Sequence, residues 1–246
     1  MGNEYHFVEF ARFGRFGNSL ENVIHLPPVV SCHRFEETSV NVPDLLTRPE
    51  ALRAHIRAAL AGRGGARKPP PQGLRQAAVL LMVVHANGEA ALLLTKRSET
   101  VDRHKGEISL PGGAIEPGES PQAAAIRETS EEIGVRAQDI TVLGALDEEE
   151  TSVSGFLLMP VVGTIPYPYP LRVSPAEVRA VIEAPLRVLL DPANVRTEIW
   201  TRGGVPREIY FYSVGAEVVW GATGRVITQF LEAVFNVQIA GARRAR

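Results

Sequence analysis

Gly112–Val135 reads GGAIEPGESPQAAAIRETSEEIGV, and its second half has the features of one helix. Ser120 suits the N-cap, and Pro121 suits the first helical position, where its missing N–H leaves no hydrogen bond unmade. Three alanines that favour helix follow, and Gly134 is placed as a C-terminal stop. The pattern predicts a helix over Pro121–Ile133.

Carboxylates gather on one side of this predicted helix. At about 100° per residue, Glu128, Glu131 and Glu132 fall within an arc of about 100°. The residues that point the other way, toward the expected core, are Ile126, Ser130 and Ile133, with Thr129 at the border. Glutamates this close repel one another, and a hard divalent cation that takes oxygen ligands removes that cost. The pattern therefore predicts a cation on the carboxylate side.

The spacing of the polar residues in this stretch is specific. Seven positions recur at fixed intervals: Gly113, Glu119, Arg127, Glu128, Glu131, Glu132 and Gly134. This pattern resembles the Nudix box, the signature of Mg²⁺-dependent hydrolases that split a diphosphate linked to another group. The resemblance implies a Nudix-type α/β/α sandwich with a mixed sheet and an enzyme that hydrolyses phosphoric anhydride bonds.

The resemblance also implies ligands for the metal. Mg²⁺ or Mn²⁺ would be bound by Glu128 and Glu132, with Glu131 and the Gly113 carbonyl as further ligands. The bound cation would neutralise diphosphate oxygens and lower the pKa of a water that attacks phosphorus.

Three further roles concern residues around the metal. Arg127 and Glu119 would pair and fix the loop against the helix, so that the ligands stay aligned. The general base is open between Glu131 and the acidic run Asp147–Glu150. That run is otherwise typical of a solvated turn.

A second pattern precedes the box, where Leu93–Gly113 reads LLTKRSETVDRHKGEISLPGG. It resembles the motif of the coenzyme A diphosphatase branch of the Nudix family. The matching positions are Leu93, Leu94, Thr95, Arg97, Ser98, Gly106, Pro111, Gly112 and Gly113. Asp102 stands where the motif has arginine, and Leu110 stands where it has phenylalanine.

This second resemblance implies the substrate: coenzyme A or an acylated or oxidised derivative, cut to 4′-phosphopantetheine and adenosine 3′,5′-bisphosphate. Coenzyme A is strongly anionic, and the candidates to bind it are Arg97, Ser98, Arg103 and Lys105. Arg97 could instead pair with an acidic residue of the box. Two alternatives stay open. One is a Nudix hydrolase for another diphosphate, such as ADP-ribose, NADH or an oxidised nucleotide, and the other is a non-catalytic Nudix-fold binding protein.

The whole chain has an ordinary globular composition. Of its 246 residues 45% are hydrophobic and 22% are charged, and its net charge of −2 argues against a nucleic-acid binder. The single cysteine, Cys32, excludes an internal disulfide and fits a reducing compartment. The longest apolar run, Ala77–Val84, is too short to cross a bilayer. We expect a cytoplasmic protein without a membrane or nucleic-acid partner, with a homodimer as one option for its oligomeric state.

Composition divides the chain into four parts. Residues 1–42 form an N-terminal extension without hydrophobic periodicity, and disorder is one interpretation of it. Residues 43–73 contain an amphipathic helix over Pro43–Leu60 and a Pro/Gly-rich linker. The Nudix domain is expected over 74–238, followed by a basic tail at 239–246.

Within the domain, strands are expected on either side of a hairpin turn at Asn87-Gly88. Further strands are expected at Thr141–Leu146, Phe156–Ile165 and Glu208–Val214. Ser174 to Glu177 forms a capping box, which predicts a helix from there to about Glu183. A last core-facing helix is expected around Val226 to Phe235.

Overall fold

This computed structural model describes residues 23–25, 41–64, 73–99, 106–151, 155–202 and 205–239. Its strands are β1 Val23–His25, β2 Arg75–Ala86, β3 Glu89–Arg97, β4 Ile108–Ser109, β5 Gly112–Ala114, β6 Thr141–Ala145, β7 Glu149–Glu150, β8 Phe156–Thr164, β9 Val178–Pro185, β10 Val195–Arg202, β11 Val205–Val214 and β12 Glu217–Val219. Its α-helices are α1 Val42–Leu46, α2 Pro49–Leu60, α3 Pro121–Ile133, α4 Leu186–Leu189 and α5 Gly221–Phe235. Most of the predicted N-terminal extension and the tail from residue 240 lie outside the described residues.

The main sheet is mixed. Its described strands follow the order β4-β3-β2-β8-β6, while β5, β7 and β9 pair with β2, β8 and β3. β2 runs parallel to β8 and antiparallel to β3. Asn87 and Gly88 join β2 to β3 with φ angles of 52° and 83°, which is the backbone of a two-residue hairpin turn. The predicted hairpin is confirmed.

β2 and β3 separate toward one end of the main sheet. They pair only where Met82–Ala86 faces Glu89–Leu93. Beyond that point β2 pairs with β5, and the end of β3 pairs with β4 and β9. The opening between the two strands is therefore occupied by β4 and β5, and the chain passes from β5 into α3.

Apolar residues pack on both faces of the main sheet. On one face α3 contributes Ala125 and Ile133 to a core that contains Leu80 and Leu93. On the other face lie Leu81 and Leu92, together with residues of α2, α5 and a second sheet, including Ile56, Tyr212 and Phe230. Helices thus cover both faces of a mixed sheet, and the predicted α/β/α class is confirmed.

The second sheet has the order β1-β10-β11-β12 among the described strands. The sequence predicts its strand β11, within slightly shorter limits, but not its neighbour β10. Tyr212 of β11 is fully buried, and its hydroxyl lies 2.6 Å from the hydroxyl of Thr228 on α5. The sheet therefore packs against α5.

The prediction of a helix from Ser174 to about Glu183 is wrong. The Ser174 carbonyl accepts hydrogen bonds from the N–H groups of Glu177 and Val178, so a turn forms there. The chain then continues as β9, which pairs with β3 from Ala91 to Arg97. The edge of β3 needs a partner, and the β-branched residues of β9 suit a strand.

The predicted helix over Pro43–Leu60 is two helices, α1 and α2. The break falls at Thr47 and Arg48, directly before Pro49. Arg48 is extended, with φ −118° and ψ 92°, because a proline disfavours the helical conformation of the residue before it. None of the described helices is long and apolar enough to span a membrane.

Candidate active site

Helix α3 has the limits that the sequence predicts. The Ser120 hydroxyl accepts a hydrogen bond of 3.1 Å from the N–H of Ala123. At the other end Gly134 has φ 72°, and its N–H donates to the Ser130 carbonyl. Both ends of the helix are therefore set by local sequence.

The rotation of α3 about its axis differs from the prediction. Thr129, expected at the border, is completely buried, and its hydroxyl donates to the Ala125 carbonyl at 2.7 Å. Ser130, expected in the core, is half-buried. Glu132 is only 4% exposed, whereas the Glu131 side chain is 58% exposed. The glutamates of one predicted face therefore lie in different environments, because the helix packs against β2 and β5 along Ala125, Thr129 and Glu132.

Arg127 connects the loop before α3 to the carboxylates of the helix. Its Nε and Nη2 donate to the two carboxylate oxygens of Glu119 at 3.0 and 3.1 Å. Nη2 also donates to the Ala114 carbonyl, and Nη1 donates to Glu128 at 2.8 Å and to Glu131 at 3.4 Å. The hydrogen bond from Arg127 holds the pKa of Glu119 below its usual value. One guanidinium thus contacts three carboxylates.

Two glycines allow β5 to approach its neighbours closely. A Cβ built on Gly113 would overlap the carboxylate of Glu128. Gly112 has φ 151°, and a Cβ there would overlap the Ala78 carbonyl of β2. The Gly112-Gly113 pair is therefore required by contact, and it brings the backbone of β5 against Glu128.

Glu132 is a buried carboxylate without a full set of partners. Its pKa is raised to about 7, chiefly by burial and further by the charges of Glu177 and Glu128. The charge of Arg97 and a hydrogen bond from the Gly112 backbone act in the opposite direction. Among the described residues its Oε2 has no hydrogen-bond partner. A buried acceptor without a partner costs free energy, and a cation bound to this oxygen would remove that cost.

Comparison with known proteins agrees with this arrangement. A NUDIX domain model matches residues 74–187. The chain is 36% identical over 171 residues to the uncharacterized Nudix hydrolase NudL of Photorhabdus laumondii. The alignment covers 68% of this chain and 90% of that protein. The chain belongs to the Nudix family. It is also 35% identical over 196 residues to NudL of Shigella flexneri, in an alignment that covers 79% of this chain and 95% of that protein.

Among solved structures, a MutT/nudix family protein from Enterococcus faecalis aligns with 81% of this chain and 74% of that one, at 15% identity and a TM-score of 0.45. The family membership rests on the sequence relatives. As a Nudix hydrolase, the protein hydrolyses nucleoside diphosphate derivatives. Enzymes of this family generally use divalent cations such as Mg²⁺ or Mn²⁺.

The residues of the Nudix box fit such a cation in chemical type. Glu132 has an oxygen free for a ligand, and Glu128 lies against the Gly113 backbone, so the available donors are hard oxygens. In the described ranges no three His, Cys, Asp or Glu side chains already stand together as a ligand set. Glu128 and Glu131 instead contact Arg127, and a cation would compete with this arginine for them.

Two of the four predicted substrate-binding residues lie beside the Nudix box. Arg97 is half-buried at the end of β3, and its charge acts on Glu132. Ser98 is 8% exposed, and its N–H donates to the Glu177 carbonyl at 2.8 Å. Arg103 and Lys105 lie outside the described residues, as does Asp102.

A segment that the sequence does not connect with the site covers the C-terminal end of α3. The N–H of Arg172 donates to the Ile133 carbonyl at 2.9 Å, and the N–H of Ser174 donates to the Glu132 carbonyl at 2.8 Å. The same segment carries Glu177, whose exposed side chain is close enough to raise the pKa of Glu132. The capping-box pattern predicts a helix at this point, and a helix there gives no reason to connect Glu177 with the site.

The acidic run Asp147–Glu150 has partners of its own. Asp147 meets Arg63 at 3.4 Å, and Glu150 meets Arg207 at 3.5 Å. The side chain of Glu149 is 13% exposed and lies 2.6 Å from Arg225 of α5, in an ion pair that lacks the alignment of a hydrogen bond. The run thus ties the main sheet to other layers of the molecule, and Glu149 is not part of a solvated turn.

Proposed function

We propose that this Nudix hydrolase splits the diphosphate of coenzyme A, or of an acylated or oxidised derivative, into 4′-phosphopantetheine and adenosine 3′,5′-bisphosphate. The observation that carries the proposal is the Leu93–Gly113 segment, which matches the motif of the coenzyme A diphosphatases. In support, its residue Arg97 ends β3 beside the buried Glu132, and its two final glycines hold β5 against the Nudix box.

Glu128 and Glu132 are the residues proposed to hold Mg²⁺ or Mn²⁺, with the Gly113 carbonyl and Glu131 as additional ligands. The oxygen of Glu132 that lacks a partner supports this assignment. When bound, the cation supplies neutralisation of diphosphate oxygens and a lowered pKa for the attacking water. Water adds across one P–O–P linkage, so each product leaves with a phosphate group.

The arginines have separate tasks in this proposal. Arg97 binds a phosphate oxygen of the substrate, because guanidinium groups suit phosphate and this one lies beside Glu132. Arg127 and Glu119 position the loop and helix that carry the ligands. Glu131 is the proposed acceptor of the water's proton, since its side chain is exposed. The run Asp147–Glu150 is a weaker candidate because arginines from other layers bind it.

The test is incubation of the full chain with a substrate panel in Mg²⁺ or Mn²⁺, followed by chromatography of the products. The panel contains coenzyme A, acetyl-coenzyme A, the coenzyme A disulfide, NADH and ADP-ribose. We expect the coenzyme A forms to be cut fastest, with 4′-phosphopantetheine or its derivative and adenosine 3′,5′-bisphosphate as products. A folded Glu132→Gln variant is the control for hydrolysis by contaminants.

One observation favours a second candidate function, hydrolysis of another nucleoside diphosphate derivative. Asp102 reverses the charge at a motif position that holds arginine in the coenzyme A diphosphatase branch. Preferential cleavage of ADP-ribose or NADH would support this candidate against coenzyme A. Tight binding of a panel member without Mg²⁺-dependent turnover would instead support a non-catalytic binding protein.

A further inference from the structure

A groove of about 440 Å³ lies at the opposite end of the main sheet from the Nudix box. β8 starts level with Arg75 and reaches the level of Met82 at Gly163, one residue before it ends at Thr164. Gly113 is level with Ala78, so the end of β8 lies roughly 16 Å farther along the strands, at about 3.3 Å per residue. The groove is also on the face covered by α2, away from α3.

The helix side of this groove is positively charged. Arg53 and Arg57 are four residues apart on α2 and both line the groove, and two like charges at this spacing repel each other. Arg53 is paired with Glu50, which also lines the groove. Within the described part of the chain Arg57 is exposed and has neither an ion pair nor a hydrogen bond. The groove therefore carries one uncompensated positive charge.

The sheet side of the groove supplies hydroxyl groups. Thr141 of β6 and Thr164 of β8 are directly opposite in the antiparallel register, so their side chains lie on the same face of the sheet. Thr164 is only 6% exposed. The exposed Pro166 continues the wall beyond the two threonines, whereas Ile165 is only 3% exposed and packs into the core on the α3 side. Guanidinium and hydroxyl donors thus face one another, with an apolar wall beside them.

We propose that this groove binds the phosphate group of a small phosphate ester. Arginine donors suit phosphate oxygens, and the threonine hydroxyls add donors from the other side. The exposed ring of Pro166 provides apolar contact for the organic part of the ester. The volume is within the range of small-molecule sites. The site is separate from the Nudix box and does not depend on which diphosphate the enzyme cuts.

The test is a titration of the full chain, labelled with ¹⁵N, in the presence of a chelator so that no divalent cation occupies the Nudix box. The probes are inorganic phosphate and, separately, adenosine 5′-monophosphate. The amide resonances of Arg57, Thr141 and Thr164 are expected to shift along one saturable curve. Adenosine 5′-monophosphate is expected to bind more tightly than inorganic phosphate because its nucleoside also contacts Pro166.

Arg57→Gln is the variant that tests the charge. It should weaken binding at the two threonines by about tenfold, since a charge-assisted hydrogen bond is lost. Hydrolysis by the Nudix box should not change. Arg179→Gln removes an exposed arginine outside the groove and should leave the titration unaltered.

Three results would overturn the proposal. One is the absence of saturable shifts at Thr141 and Thr164 with either probe. Another is an equal response to chloride at matched ionic strength, which would indicate screening alone. The third is unchanged binding by Arg57→Gln that is folded by circular dichroism.

Discussion

The Nudix box and the run Asp147–Glu150 are both acidic, and they differ in how many arginines they meet. In the box Arg127 contacts three carboxylates, while Glu132 is buried with one oxygen that has no hydrogen-bond partner among the described residues. In the run, three carboxylates each pair with a different arginine: Asp147 with Arg63, Glu149 with Arg225 and Glu150 with Arg207. In the box there are fewer arginines than carboxylates, which leaves negative charge for a cation. In the run each arginine neutralises one carboxylate and connects two layers of the structure.

Glu132→Gln should have the largest effect on this comparison. The amide keeps the size of the side chain but removes the negative charge that a cation needs. We expect Mg²⁺-dependent hydrolysis to fall by at least about a hundredfold, more than the loss of a residue that only supports a ligand. Initial rates measure the effect, and circular dichroism checks the fold. Near-normal rates from a folded variant would remove Glu132 from the set of ligands.

Arg127→Lys should reduce turnover less strongly. Lysine keeps the charge but cannot make the two parallel hydrogen bonds to Glu119. We expect kcat to fall by about tenfold to a hundredfold, because the loop and helix that carry the ligands are no longer aligned. Arg136→Lys is the matched control, since Arg136 pairs with Asp139 and not with a carboxylate of the box. Equal rates for both variants would contradict a positioning role for Arg127.

Arg225→Met should act on stability rather than on turnover. It leaves Glu149 largely buried without its counter-charge, and burial already raises the pKa of this carboxyl. Because the Arg225 side chain is 28% exposed, we expect the free energy of unfolding to fall by about 2 kcal/mol in urea denaturation, less than for a fully buried pair. The double variant with Glu149→Gln should recover part of this loss. A large drop in activity per folded molecule would mean that the acidic run takes part in the reaction.

Arg207→Gln should have the smallest effect. Arg207 meets Glu150 at 3.5 Å, and the Glu150 side chain is 48% exposed. Exposed pairs contribute little, so the free energy of unfolding should change by no more than about 0.5 kcal/mol. The same denaturation series measures it. A loss of unfolding free energy as large as that of Arg225→Met would show that solvent exposure does not explain the difference in strength between the two ion pairs.

Local signals in the sequence were sufficient for the limits of α3. Ser120, Pro121 and Gly134 act within one turn of their own positions, so no distant contact is needed to interpret them. The rotation of the helix about its axis is harder to predict from sequence, because Ala125, Thr129 and Ser130 are small and fit either the core side or the solvent side. Contact with β2 and β5 decides it, and that contact also buries Glu132.

The failure at β9 has a different cause. Ser174 and Glu177 have the spacing of a capping box, and a local turn does form there. The open edge of β3 then selects a strand over a helix for the residues that follow. Pairing between segments about 80 to 95 residues apart has no local signature, so the nearby capping-box signal is misleading. For the same reason, the sequence alone does not show that Glu177 lies close enough to Glu132 to raise its pKa.

The end of α3 is held by main-chain groups, through the N–H of Arg172 and of Ser174. Side-chain identity at these two positions is therefore largely free to vary without loss of the contact. A proline at either position would remove a donor, and an insertion between them would shift the second donor away from its acceptor. Substitutions in this segment should therefore be limited by the length of the backbone and by the need for two N–H donors, and less by the chemistry of the side chains.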